Sequence, residues 1–94
     1  MTSRWIASYD KDPSAELDYA IDWSSWLSSG ETISASSWST GGLVDMGLAS
    51  IVGGKAIVWL SGGATGTRYL VENLITTSEG RTDQRTIQIV CVER

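Results

Sequence analysis

Residues 56–75 read AIVWLSGGATGTRYLVENLI: an apolar run, the glycine-rich stretch SGGATGT at 61–67, then a second apolar run. A phosphate-binding loop needs glycines that expose backbone N–H groups, then a Lys and a Ser or Thr, then a helix whose N-terminus faces the anion. SGGATGT has no Lys, and TRYLVENLITTS after it places Tyr69, Val71, Asn73 and Ile75 at period two, the spacing of a strand. A dinucleotide fingerprint fails in the same way, because it too must open a helix. The glycines therefore read as a crossover between strands, supplying the positive φ that tight turns require.

Working outward, LDYAIDWS puts Leu17, Tyr19, Ile21 and Trp23 on one face and Asp18, Ala20, Asp22 and Ser24 on the other, a half-buried strand. SWLSSGE bends around Gly30. TISASSWST is a strand of small and β-branched residues stopped by Gly41 and Gly42, and LVDMGLASI alternates more weakly at Val44, Met46 and Leu48. KAIVWLS is apolar on both faces, as in a strand covered on both sides or one whose outer face meets a partner. TSEGRTD turns at Gly80, and RTIQIVCVE carries Ile87, Ile89 and Cys91 in phase. Strands at about 8–12 residue spacing, with turns between them and no helical period, predict an all-β antiparallel sandwich of about six to seven strands. GTRY at 66–69 resembles the tyrosine corner of immunoglobulin-like sandwiches, in which the ring packs into the end of the sandwich and the hydroxyl bonds back to nearby backbone. Residues 1–13, ending at Pro13, are expected as an extended N-terminal arm and 14–94 as the immunoglobulin-like domain.

Composition narrows the chemistry. The chain has 94 residues, enough for one core, with one Cys and no His. An internal disulfide and His-based metal or acid/base chemistry are excluded. Net charge is −4, and the seven basic residues are scattered, so no basic stripe tracks a phosphate backbone and no nucleic acid partner is expected. The most apolar region, residues 42–63, is broken by Asp45, Lys55 and glycines and falls short of the ~20 apolar residues of a membrane span. The opening MTSRWIASYDKDP lacks a signal-peptide core, so assembly in a cytoplasm is expected.

Candidate catalytic and metal sites dissolve one by one. Cys91 lies in phase with Ile87 and Ile89 with no base to activate it, and reads as a buried core thiol. DKDPSAE lacks the ligand spacing of a calcium loop. Asp18 and Asp22, four residues apart on one strand face, stand ~13 Å apart, too far to cooperate, and read as surface charges. No catalytic residue, metal or cofactor is expected, and the protein is read as no enzyme.

Five tryptophans stand beside no Phe at all. Trp23 is in phase with the core face of its strand, whereas Trp59 falls on the face opposite Val58 and Leu60. Trp5, Trp26 and Trp38 sit in the arm, a bend and a polar strand. Tryptophans the core does not claim point to a binding surface. The candidate contacts are Trp5, Ile6 and Tyr9 of the arm together with Trp26, Trp38 and Trp59. An alternative use of exposed Trp is sugar stacking, which would make the chain a carbohydrate-binding module.

A more specific likeness runs through KDP at 11–13, LDYAIDWSSWL at 17–27, GETI at 30–33, VWLSGG at 58–63, GTRY at 66–69 and ITTSEGRT at 75–82 leading into RTIQI. In this order the chain resembles small tailed-bacteriophage proteins of the fiber-tail adaptor family, from about position 5 to its end. The resemblance implies a structural virion protein of the tail or neck. Its partners would be tail or portal-adaptor proteins, the N-terminus of a tail fiber, and copies of itself in a symmetric ring. It brings no catalytic residues with it. Edge strands of such a domain can also accept a strand from a fiber N-terminus.

Overall fold

A computed structural model describes residues 5–93. Eight strands follow one another: β1 (Ser8–Lys11), β2 (Leu17–Asp22), β3 (Ile33–Ser39), β4 (Val44–Asp45), β5 (Ser50–Val52), β6 (Lys55–Ser61), β7 (Arg68–Thr77) and β8 (Thr82–Cys91). They form two sheets. Sheet A has the order β1-β8-β7-β3, and sheet B has the order β2-β6-β4, with β5 also paired to β6. The protein is an all-β sandwich.

The inward faces supply a single apolar cluster. Tyr19, Ile21, Ala56, Val58 and Leu60 come from sheet B, and Ile33, Val71, Ile75, Ile87, Ile89 and Cys91 from sheet A, with Trp23 and Leu43 closing the cluster. Most of them are residues that the period-two pattern placed in phase, although Leu17, in the same phase at the start of β2, is 41% exposed. Each large aliphatic side chain fully removed from water contributes about 1.5–3 kcal/mol, so the pattern fixes which face each strand turns inward.

Three differences from the sequence reading have physical causes. The sandwich is not wholly antiparallel, because β1 pairs with β8 in parallel from Ser8↔Gln88 to Lys11↔Cys91. The stretch expected as an extended arm is extended, but from Ser8 to Lys11 it is the edge strand of sheet A, and its first four residues lie outside the described range. Lys11 is fully buried there. Its ammonium donates to the Gly62 carbonyl at 2.7 Å and the Asp12 carbonyl at 3.0 Å, so main-chain oxygens compensate the burial of a charge. Finally, LVDMGLASI is two short strands, since the register against β6 moves between Asp45↔Leu60 and Ser50↔Ile57. The interruption includes Gly47, whose N–H is held by the Asp45 carboxylate at 2.8 Å.

The glycine stretch that opened the question is the link from β6 to β7, and no helix follows it. Three of its N–H groups are already used: Ala64 donates to the Tyr69 hydroxyl at 2.8 Å, Gly66 to the Cys91 carbonyl at 2.8 Å and Thr67 to the Ala64 carbonyl at 3.0 Å. The hydroxyl-to-backbone bond expected of the tyrosine corner is therefore present, and donors that an anion would need are committed to the fold. Gly63 has φ +102° and faces the Cys91 sulfur so closely that an added Cβ would lie 2.3 Å from it. Only glycine fits between that thiol and Leu43.

Candidate interaction surface

Two tryptophan environments organise the molecule. The first is interior. Trp23 ends β2 fully buried and donates its indole N–H to the Asn73 side-chain oxygen at 2.9 Å, across the two sheets. Asn73 in turn donates to the Ser36 hydroxyl at 2.8 Å and the Ser37 carbonyl at 3.0 Å, so this buried polar side chain in the inward phase of β7 is well supplied with partners. Trp26 packs edge-on against Trp23 with ring centroids 5.4 Å apart, and the Arg81 guanidinium lies 4.0 Å from the Trp26 ring centroid. Arg81 is held by two bonds to Glu31, whose carboxylate also accepts from the Thr77 hydroxyl and from the Ser28 N–H at 2.9 Å. Hydrogen bonding from Arg81 first, then from Ser28 and Thr77, lowers the Glu31 carboxyl to a pKa of about 2. Arg85 covers Trp23 in the same manner at 4.2 Å.

The second environment faces outward. In the β2–β6 ladder, Asp18↔Trp59, Ala20↔Ile57 and Asp22↔Lys55 are the pairs that alternate with the buried ones. Opposite them, on the other edge of β6, stand Val44 across from Ser61 and Val52 across from Lys55, while Met46 donates its N–H to the Trp59 carbonyl at 3.0 Å. The outer face of sheet B is thus an apolar strip of Val44, Met46, Val52, Ile57 and Trp59 with Asp18 and Asp22 along one border. Val44 and Val52 are 56% and 59% exposed, far from a core arrangement. Hydrogen bonds from Ser24, by its side chain and then its backbone N–H, lower the Asp22 carboxyl, with Lys55 and Arg85 adding to the effect. The outer face of sheet A differs. There Ser37, Ser39, Thr76, Thr82, Gln84 and Thr86 alternate outward together with Leu70, Leu74 and Val90, and Gln84 donates to Glu72 at 2.7 Å.

The six candidate contact residues are not one cluster. Trp59 lies on the outer face of sheet B. Trp26 and Trp38 are partly buried and pack against the core cluster, Trp38 from the inward side of β3 opposite Asn73. Ile6 and Tyr9 are exposed on the N-terminal edge, where Tyr9 meets Tyr19 of β2 with ring centroids 5.5 Å apart, and Trp5 precedes them partly buried. The indoles of Trp26, Trp38 and Trp59 face three different environments, so they build no common sugar-stacking platform. Asp18, read from the sequence as a surface charge, stands opposite Trp59, a juxtaposition that only the pairing of β2 with β6 reveals.

The molecule is thus a two-layer β module with an apolar outer strip and a buried thiol. Residues 11–90 match the family model of the podophage GP4 fiber-tail adaptor protein gp77, and the chain belongs to that family. It is a family of structural phage tail components. No match is found among the curated proteins.

Proposed function

We propose that this protein is a non-enzymatic component of the virion, assembled in several copies around the neck, that links tail fibers to the tail or portal-adaptor complex. Family membership supports the adaptor role, and the observation that carries the contact reading is the apolar outer strip of sheet B centred on Trp59. A docked partner would remove these side chains from water, which is what supports reading a contiguous apolar strip as a contact face. Ile6 and Tyr9, with Trp5, form a second contact at the N-terminal edge in this reading; Trp26 and Trp38 contribute through the shape of the domain they help to pack.

The strand order supports an immunoglobulin-like assignment. The sequence β2-β6-β4 against β3-β7-β8 corresponds to the B-E-D and C-F-G orders of that fold, with Tyr69 at the E–F corner. A role without catalysis is supported by the full burial of Cys91 beneath Gly63 and by the separation of Asp18 from Asp22 along one strand. Mass spectrometry of purified particles and electron microscopy of the intact virion test the proposal. Density for this domain in a ring at the neck, touching the fiber, is the expected result, and absence of the chain from virions removes the reading.

A further inference from the structure

Among the described residues, one carboxylate and indole pair grips a guanidinium, and another such pair stands without one. In the first, Glu31 and Trp26 hold Arg81 of the same chain: the guanidinium lies over the ring and its N–H fork meets the carboxylate. In the second, Asp18 and Trp59 are direct cross-strand partners on the outer face of sheet B. Side chains so paired have Cβ atoms about 4.5–5.5 Å apart. Among the described residues no cationic group lies over the Trp59 ring or forms an ion pair with Asp18. Lys55, the one Lys on that face, is four residues along β6 from Trp59, roughly 13 Å away, and stands opposite Asp22.

We propose that Asp18 and Trp59 form the receptor for an arginine carried by the tail or fiber partner, with Val44, Met46 and Ile57 receiving apolar side chains beside it. The inference rests on the adaptor reading and names the chemistry of its partner. Arginine is chosen over lysine because a planar guanidinium stacks on an indole and presents a two-pronged fork to a carboxylate, as Arg81 already does. Charge favours a different, basic protein over a second copy: the chain carries −4, so two copies repel, and Asp18 and Asp22 border the strip.

A small-molecule titration isolates the receptor from the biology. Acetyl-arginine amide added to the full chain is expected to move the Trp59 indole N–H resonance, identified from the Trp59→Phe spectrum, with saturation at millimolar concentration. Acetyl-lysine amide is expected to act more weakly, and Asp18→Asn to abolish the arginine response. An unmoved Trp59 signal, equal response to both amides, or persistence in Asp18→Asn overturns the proposal. The N-terminal fragment of the phage's own tail fiber and the purified tail complex then serve as partners. Binding to one of them weakened ~tenfold or more by both Asp18→Asn and Trp59→Ala supports the receptor. A partner that binds wild type and both variants equally overturns it and leaves the adaptor role standing. If neither partner binds wild type, the adaptor role fails and the partner assignment with it, while the amide titration still reads the pair itself. Concentration-dependent self-association lost in Asp18→Asn assigns the strip to a second copy and also overturns the proposal.

Discussion

The Trp26 corner and the Trp59 strip use the same chemistry to opposite ends. In the corner, an indole, a carboxylate and a guanidinium from one chain satisfy one another, and Arg81 also donates to the Trp26 carbonyl at 3.2 Å, locking the bend after β2 to the turn between β7 and β8. On the strip, an indole and a carboxylate stand together without the third member, with exposed Val44 of β4 diagonal to the indole. The difference teaches that a tryptophan's role follows from what its neighbours already bind. Completed polar sets hold the fold together, and an incomplete set on an apolar face is available to a partner.

That contrast can be broken from the interior first. Trp23→Ala empties the site beneath Trp26 and Arg85 and should cost about 3–5 kcal/mol in chemical denaturation, the range for deleting a large buried aromatic. Asn73→Ala leaves the Trp23 N–H and the Ser37 carbonyl without their partner and should cost about 2–3 kcal/mol in the same assay. A loss below ~0.5 kcal/mol for Asn73→Ala would mean that the cross-sheet bond does not contribute in solution. Tyr69→Phe removes only the bond from Ala64 and should lower stability by about 1 kcal/mol.

Acid sharpens the comparison. Glu31 has a native pKa lowered to about 2 from an ordinary value of 4.5, so its ionised form stabilises the fold at every pH above about 4.5. That contribution should fade as pH drops from about 4.5 through 2, because the unfolded chain takes up the proton first. Glu31→Gln should be less stable than wild type at pH 7, with the gap narrowing across that window in thermal melts. The smallest effect belongs to the strip. Asp18→Asn should change stability by no more than about 0.5 kcal/mol, as expected for an exposed residue, even where it abolishes partner binding.

Much of the architecture was legible because a half-buried strand writes itself as alternation. Tyr19 to Trp23, Tyr69 to Ile75 and Ile87 to Cys91 show their inward residues directly, and the missing Lys with a strand after SGGATGT rules out an anion loop before any coordinates exist. The parallel docking of Ser8–Lys11 was not legible, because a four-residue strand with a buried lysine resembles a solvated arm until its partner, some 80 positions later, is known. The Glu31–Arg81 pair was hidden for the same reason, its members lying 50 residues apart. Of the candidate contacts, the outward placement of Trp59 was legible from phase alone, since it alternates against Val58 and Leu60. Trp26 and Trp38 were not separable from it by sequence, because nothing local records which indoles meet the core.

Local periodicity and turn chemistry, both properties of neighbouring residues, determined that this chain is a β-sandwich whose glycine link is structural, and the ordered motifs carried its family. Only the tertiary structure decided that β1 closes one edge of sheet A, that Arg81 fills one indole–carboxylate pair, and that Asp18 and Trp59 stand open together. Those facts depend on the register between distant strands, which is set by how the whole core packs and is written in no single segment.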